Sequence, residues 1–105
     1  RQSRRVDQIV QPAVWGESEH FVIVGGGPVG VELSQALNRL GVRVTLVTDS
    51  PTILPRDEPS LVAILQRRLV EEGVEIHGHV EVASVARDGN GGVTVHSVDG
   101  RSWSA

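Results

Sequence analysis

A glycine-rich run near the start of the chain is the first stretch whose residue types and spacing suggest a binding site. Gly25, Gly27 and Gly30 give the spacing G-x-G-x-x-G, directly after the apolar run FVIV at 21–24. A turn of this kind lets backbone amides approach a diphosphate when it leaves a strand and opens a helix. Pro28 suits the first helical turn, where its missing N–H has no intrahelical partner. The run therefore predicts an anion site at a helix N-terminus. The alternative is a turn that only connects strand and helix.

Two acidic residues, Glu32 and Asp49, follow the glycine-rich run and the second expected strand. Glu32 lies about one turn into the expected helix, where the helix dipole favours a carboxylate by about 0.3–1 kcal/mol without any further role. Asp49 follows the second expected strand, and an acidic residue about 20 positions after the fingerprint usually accepts the adenosine ribose hydroxyls of NAD. A 2′-phosphate beside Asp49 would be repelled by roughly 1–5 kcal/mol, so NAD(H) is favoured over NADP(H). The competing interpretation of Asp49 is a turn residue before Ser50 and Pro51.

Other polar residues do not form a recognisable catalytic or metal-binding pattern. His77 and His79 form an H-x-H pair whose side chains would share one face of an extended strand. A metal site needs a third ligand, the sequence has no cysteine, and no other ligand stands at a suitable spacing. We therefore expect no metal site. The hydroxyl and imidazole groups likewise show no spacing typical of a nucleophile with its base.

The hydrophobic periodicity around these residues predicts alternating strands and helices. The predicted elements are strand 21–25, helix 28–40, strand 43–47, helix 58–72 and strand 74–77. Asp57 is expected to cap the second helix, whose apolar stripe contains Leu61, Ile64, Leu65 and Leu69. Gly41 and Gly73 mark the two helix ends. This β-α-β-α-β order predicts a Rossmann-like, three-layer α/β domain with a parallel sheet and right-handed crossovers.

The pattern changes beyond Gly78 from helical crossovers to hairpins. Valines alternate in part with polar residues from 80 to 85 and again from 93 to 98. The turn-forming run DGNGG at 88–92 separates the two stretches, and Asp99-Gly100 forms a second tight turn. We therefore expect a small antiparallel β-meander attached to the parallel sheet.

Composition and the opening residues limit the remaining possibilities. The chain has 105 residues, 39% of them hydrophobic, a net charge of −3 and no cysteine. It is therefore expected to form one domain over 21–105, without a disulfide framework and without a basic surface for nucleic acid. No apolar run is long enough to cross a membrane, so cytoplasmic residence is expected. Residues 1–20 are predicted to be a linker or arm, with a short strand at 8–10 as the alternative.

Four segments occur together in an order and spacing typical of a known family. They are GGGPVGVE (25–32), LNRLGVRVTLV (37–47), ILPRDEP (53–59) and LVEEGVEIHGHVEVASV (69–85). On these segments, residues 21 to about 103 resemble the NAD(P)-binding domain of the FAD-dependent pyridine nucleotide-disulfide oxidoreductases. This family holds glutathione reductase, dihydrolipoamide dehydrogenase and mercuric reductase. Four matching segments are far more specific than the glycines alone.

The resemblance implies roles for individual residues. Glu32 would be the catalytic candidate: it would help to position the nicotinamide beside the flavin and would pair with a lysine of the FAD domain. Thr48 stands where NAD-type members have a glutamate, and the backbone of Val80 would lie against the adenine, although a core valine is an equally good interpretation. Pro28 stands where many members have a tyrosine that covers the flavin, so the coenzyme would dock differently. The cofactor-binding candidates are Gly25, Gly26, Gly27, Pro28, Val29, Gly30, Glu32, Thr48, Asp49 and Val80.

The resemblance also implies the reaction and the partners. The parent enzyme would transfer hydride from the nicotinamide to FAD, which the FAD and dimerisation domains of the parent hold and this chain does not bind. The chain is therefore expected to be a fragment that is inactive alone, truncated before a last parallel strand. That truncation would leave the edge of strand 21–25 uncovered, with self-association as a consequence. The alternatives are a stand-alone regulatory or assembly module, and a fingerprint that holds the ADP part of FAD.

Overall fold

The fold consists of two helices and seven strands in the part of the chain that the structure describes. The structure is a computed structural model that describes residues 13–17, 20–87, 89 and 92–105, with the backbone alone for 13–17. In chain order the elements are β1 (Ala13–Glu17), β2 (His20–Val24), α1 (Pro28–Arg39), β3 (Arg43–Val47), α2 (Pro59–Glu72), β4 (Glu75–His77), β5 (Val82–Arg87), β6 (Val93–Ser97) and β7 (Ser102–Ser104).

The first sheet has the strand order β1-β2-β3-β4. Strands β2, β3 and β4 run parallel, and their registers align Val24 with Val47 and Val47 with His77. The carboxyl ends of the three strands therefore meet at one edge of the sheet, where open α/β sheets bind their ligands. The predicted β-α-β-α-β order with a parallel sheet is confirmed.

The arm expected at 1–20 contains a strand that the sequence did not predict. β1 pairs antiparallel with β2, from Ala13 opposite Val24 to Glu17 opposite His20. The expectation that the edge of strand 21–25 is uncovered is therefore wrong, and the self-association inferred from it loses its basis. The sequence AVWGE at 13–17 lacks the alternation that marks a strand, so pairing to a neighbour, not periodicity, defines it. The alternative strand at 8–10 lies outside the described residues.

The helix boundaries follow from proline and glycine positions. Gly27 is the N-cap of α1, and Gly41 follows its end at φ +88°. The N-cap of α2 is Glu58, whose carboxylate accepts hydrogen bonds from the amides of Ser60 and Leu61 at 3.1 Å. The predicted cap at Asp57 is thus wrong by one residue, because Pro59 takes the first helical position and the cap must precede it.

Both helices pack on one face of the parallel sheet. The buried core there consists of Ile23, Val31, Val44, Leu46, Ile53, Val62, Leu69 and Val74. The predicted stripe of α2 is only partly right: Leu69 is buried and Leu65 is half-buried, but Leu61 and Ile64 are 66% and 55% exposed. Val62 takes their place, since positions 62, 65 and 69 lie on one side of a helix with 3.6 residues per turn.

The second sheet is the predicted antiparallel meander, with the strand order β5-β6-β7. It contacts the face of the first sheet opposite the helices. The Trp103 ring of β7 lies 5.2 Å from the His77 ring of β4, centroid to centroid. The molecule therefore has a helical layer, a mostly parallel sheet and a smaller antiparallel sheet, as the expected three-layer arrangement requires.

Candidate functional site

The glycine-rich turn lies at the carboxyl end of β2, as the sequence predicts. Gly25 has φ +131°, a conformation that favours glycine, and its amide donates to the Val47 carbonyl at 2.9 Å. The chain then enters α1, whose first intrahelical bond joins the Val31 amide to the Gly27 carbonyl at 3.0 Å. The turn therefore directs the N-terminus of α1 toward the edge where β2 and β3 end.

The amides at the start of α1 are available to an anion. Among the described residues, no acceptor is found for the amides of Gly27, Val29 and Gly30. Among the residues that the structure describes, none has an atom within 4 Å of a Cβ built on Gly27, so the space on that side is open. Together with the partial positive charge of a helix N-terminus, these amides can bind a phosphate group.

The loop between β3 and α2 supports the turn from behind. The Leu54 amide donates to the Gly26 carbonyl at 2.7 Å, and Leu54 itself has φ +47°. A non-glycine residue in this left-handed conformation costs of order 1–3 kcal/mol unless its surroundings hold it. Sequence reasoning missed Leu54, because a contact made through the backbone leaves no mark on the choice of side chain.

Thr48 and Asp49 follow β3, but they differ in what they offer a ligand. The Thr48 side chain is buried, and its Oγ1 accepts a hydrogen bond from the Ser50 amide at 3.3 Å. Asp49 is exposed, and within the described ranges its carboxylate makes no ion pair. Of the two predicted residues, only Asp49 therefore presents a polar side chain at this edge of the sheet.

Val80 lies beside Thr48 at the same edge. Its side chain is buried, and its amide donates to the Thr48 carbonyl at 2.8 Å. The valine side chain is therefore a core residue, as the second interpretation of this position holds. Only the backbone around Val80 remains available to a ligand.

Glu32 lies on the outer side of α1, next to a groove of about 300 Å³. Its carboxylate is exposed, and Val29, one turn earlier, is 53% exposed. The groove is bordered by Pro28, Val31, Glu32, Gln35, Leu54, Asp57 and Leu65. The structure thus places Glu32 and the predicted turn residues at the N-terminal end of α1. Asp49 and Val80 lie after the carboxyl ends of β3 and β4.

The two histidines of the H-x-H pair have different surroundings. His77 Nε2 lies 2.9 Å from Glu75 Oε2, and its ring contacts Trp103. His79 is exposed and has φ +56°, so the extended conformation ends before it. Within the described ranges, no group of three His, Cys, Asp or Glu side chains is placed to hold a metal ion. None of the helices described for this chain is long and apolar enough to cross a membrane.

A chain of polar contacts crosses the face of the sheet opposite the helices. His20 Nε2 lies 3.0 Å from Thr45 Oγ1, and the Thr45 hydroxyl donates to Glu75 Oε1 at 3.3 Å. Burial, and next the guanidinium of Arg43, lower the pKa of His20 from its ordinary value of 6.5. The hydrogen bond from His77 is the main cause of a lowered pKa at Glu75. His20, Thr45 and Glu75 thus link β2, β3 and β4 before the carboxyl ends of these strands.

Comparison with known proteins identifies the family. Residues 20–100 match the family described as pyridine nucleotide-disulphide oxidoreductase. A mercuric reductase of Streptomyces lividans is 42% identical over 73 residues, which cover 70% of this chain and 15% of the relative. An NAD(P)H dehydrogenase (quinone) of Mycobacterium tuberculosis is 36% identical over 84 residues, 80% of this chain and 17% of the relative.

A solved structure gives the same result. LpdA from Mycobacterium tuberculosis is 35% identical and superimposes with a TM-score of 0.74, over 82% of this chain and 18% of that chain. Membership of the family inferred from the four sequence segments is thus confirmed. The chain spans only 15–17% of the length of the first two curated relatives.

Proposed function

Because the chain belongs to the pyridine nucleotide-disulphide oxidoreductase family, we propose that it forms the NAD(P)H-binding part of a flavin-dependent oxidoreductase. Its task would be to position the nicotinamide for hydride transfer to FAD held elsewhere in the parent protein. In such enzymes the cofactors supply the redox chemistry, and the protein supplies position and electrostatics. The observation that carries the proposal is the open N-terminus of α1 at the carboxyl edge of a parallel sheet.

The diphosphate of the coenzyme is proposed to lie over the glycine-rich turn. The amides of Gly27, Val29 and Gly30 have no acceptor among the described residues and would donate to it. The open space beside Gly27 fits a bound group that approaches the backbone closely. The residues present therefore fit a dinucleotide, although the same turn would also suit a simple nucleoside diphosphate.

The nicotinamide end is proposed to lie along α1 toward Glu32. The exposed carboxylate of Glu32 borders the groove beside the turn, and the exposed side chain of Val29 lies about one helical turn before it. A nicotinamide ring needs an apolar surface, which Val29 provides, and a polar group that orients its carboxamide, which Glu32 provides. Glu32 would thus hold the ring in position and would not itself exchange a proton with it.

The adenosine end is proposed to lie across the ends of β3 and β4. Asp49 would accept hydrogen bonds from the ribose hydroxyls, which favours NAD(H) over NADP(H). Thr48 would support this end of the site from beneath the loop, since its side chain is buried and its amide and carbonyl already bond to His77 and Val80. The adenine would lie against the backbone near Val80, whose amide already bonds to Thr48.

Gly27→Ala tests the proposal, because the added methyl group would contact the ligand but no atom of the described residues. The domain should lose only about 0.5–1 kcal/mol of stability, as alanine is a poorer N-cap than glycine. Its affinity for NADH should fall at least about tenfold, because the methyl group prevents the diphosphate from approaching the backbone amides of the turn. Calorimetry with NADH and NADPH measures the affinity, and NMR shifts at residues 25–32 locate the site.

The matched control is Gly89→Ala, at an exposed glycine where a Cβ likewise meets no atom of the described residues within 4 Å. This variant should bind coenzyme like the wild type. Wild-type chain that shows no shift at 25–32 with either coenzyme would refute the proposal. Equal NADH affinities of Gly27→Ala and wild type would refute the placement of the diphosphate.

A further inference from the structure

The segment 78–80 follows β4 and is packed tightly against the loop that follows β3. The His79 amide donates to the Ser50 carbonyl at 3.0 Å, and the Val80 amide donates to the Thr48 carbonyl at 2.8 Å. A Cβ on Gly78 would lie 2.5 Å from the carbonyl oxygen of Pro51, so only glycine fits there. The position of this segment is therefore coupled to the position of the loop that carries Asp49.

One side chain of the second sheet contacts the same segment. The Arg101 guanidinium donates from Nη2 to the His79 carbonyl at 2.6 Å and reaches the Gly78 carbonyl at 3.5 Å. It comes from the residue just before β7, far along the chain from β4. Arg101 is thus a direct link between the antiparallel meander and the carboxyl edge of the parallel sheet.

The guanidinium is itself held in place from two sides. Its Nε lies 3.0 Å from Asp99 Oδ2, and Nη2 lies 2.8 Å from the same oxygen. Hydrogen bonds from Arg101, and next from Ser97, lower the pKa of Asp99 from 3.8 to about 2. The guanidinium carbon also lies 5.8 Å from the centre of the Trp103 ring. A planar group with several donors in fixed directions suits this bridging position better than a lysine ammonium does.

The His79 backbone is the element that needs such support. His79 has φ +56°, a conformation that costs a non-glycine residue free energy unless neighbouring bonds hold it. Its amide is held by Ser50 and its carbonyl by Arg101, so the two bonds fix both peptide groups that flank the residue. Removal of the guanidinium leaves the carbonyl side of His79 without its charged partner.

We propose that Arg101 is a positioning residue for the adenosine end of the coenzyme. It acts through the backbone of 78–80, which it holds in the conformation that receives the adenine and aligns the loop bearing Asp49. The inference rests on the proposed function, since the coenzyme gives this segment its ligand. It adds a contribution from the meander to a site otherwise built from the parallel sheet and α1.

The test compares two ligands that share the nicotinamide and differ in the adenosine. The full 105-residue chain and its Arg101→Ala variant are titrated by NMR with NADH and with reduced nicotinamide mononucleotide. Affinity for NADH should fall about tenfold, the loss expected for one charge-assisted hydrogen bond, while affinity for the mononucleotide stays unchanged. Equal losses for both ligands, or no loss for NADH, would overturn the positioning role.

Two further variants separate positioning from general destabilisation. Arg39→Ala removes the same charge from a pair with Glu72 at 4.0 Å on the helical side, and it should bind both ligands like the wild type. His79→Gly accepts φ +56° without strain and should restore at least part of the NADH affinity to Arg101→Ala. A double variant that binds as weakly as Arg101→Ala would contradict the role assigned to the His79 backbone.

Amide hydrogen exchange tests the inference without any ligand. The His79 and Val80 amides should exchange about tenfold faster in Arg101→Ala, and the Leu46 amide of the central strand should not change. If wild-type chain fails to bind NADH, the proposed function fails, while exchange still decides whether Arg101 holds this segment. Unchanged exchange rates at the His79 and Val80 amides would refute the claim that Arg101 holds this segment, whatever the coenzyme titrations show.

Discussion

The side chain of Thr48 lies directly against Gly26. A Cβ on Gly26 would be 2.9 Å from both Cβ and Oγ1 of Thr48, and 3.4 Å from Cα of Ile53. The glycine turn can therefore sit on the loop after β3 only because position 26 has no side chain. The central glycine of the run is thus required for packing, whereas Gly27 is open on its protein side.

Gly26→Ala should accordingly destabilise the domain. Overpacking of a tight site costs about 1–3 kcal/mol, since Thr48 and the Ile53 backbone must move. Urea unfolding followed by circular dichroism measures the change. Gly89→Ala, at an exposed glycine where a Cβ meets no atom of the described residues, should differ from the wild type by less than about 0.5 kcal/mol. Equal stability of the two variants would show that the turn and the loop are not in contact.

The cap of α2 allows a direct comparison of two adjacent acidic residues. Glu58→Ala removes the acceptor of the Ser60 and Leu61 amides and should lower the melting temperature by several degrees. Asp57→Ala should leave it nearly unchanged, because the Asp57 side chain caps no amide of the helix. Calorimetry of both variants decides the point. A larger effect at Asp57 would place the cap where the sequence alone predicted it.

His20 should make the domain less stable in mild acid. Its pKa is lowered in the folded chain by burial, and next by Arg43, while Glu75 and the Ser104 carbonyl oppose the shift. The unfolded chain therefore binds the proton first, so stability is complete above pH 6.5 and falls as the pH decreases through that value toward the folded pKa. His20→Gln keeps a polar contact to Thr45 without this titration.

Urea unfolding at about pH 7.5 and about pH 5.5 measures this difference. The loss of unfolding free energy between the two values should be smaller in His20→Gln than in the wild type. His96→Gln, at an exposed residue of β6, provides the matched control and should lose as much as the wild type. Identical pH profiles for His20→Gln and wild type would contradict the burial of His20 in its neutral form.

The two faces of α2 should respond differently to truncation. Leu69→Ala removes a fully buried side chain from the core and should cost about 2–5 kcal/mol. Leu61→Ala, at a residue that is 66% exposed, should change stability by no more than about 0.5 kcal/mol. Chemical denaturation provides both values. A cost at Leu61 comparable with that at Leu69 would mean that the helix is rotated from its described orientation.

Coenzyme choice should depend on Asp49. With the adenosine ribose at its proposed position, Asp49→Arg would exchange a carboxylate that repels a 2′-phosphate for a group that binds it, so the NADPH to NADH affinity ratio should rise at least about tenfold. Calorimetric titration with both coenzymes measures the ratio. Glu71→Arg makes the same charge change on exposed α2 and should leave the ratio unchanged. A ratio that stays constant in Asp49→Arg would place the adenosine ribose elsewhere.

The sequence predicted those elements whose hydrophobic pattern or turn residues match the burial and backbone conformation that the fold gives them. The bounds of β3 are those expected, because its run of valine and leucine is buried between two neighbouring strands. The turn from β2 to α1 was also predictable, since glycine and proline limit the backbone by themselves. The candidate residues of that turn could be named from the sequence for the same reason.

Features set by distant partners could not be predicted in this way. β1 exists through its pairing with β2, and its own residues carry no strand pattern. The left-handed conformations of Leu54 and His79 are held by bonds to Gly26, Ser50 and Arg101, which no local rule links to them. The burial of Thr48 likewise depends on how the loop folds over the glycine turn.

The two sheets also differ in how far apart in sequence their partners lie, and this affects the order of folding. Thr45 pairs with Glu75 across the whole of α2, whereas Val95 pairs with Trp103 across one short turn. Hairpins close in about 1–10 μs, and closing a longer loop costs more entropy. We therefore expect the meander to form early and the slower parallel pairing to set the folding rate. Trp103 then meets His77 late, so its fluorescence reports the docking of the two layers.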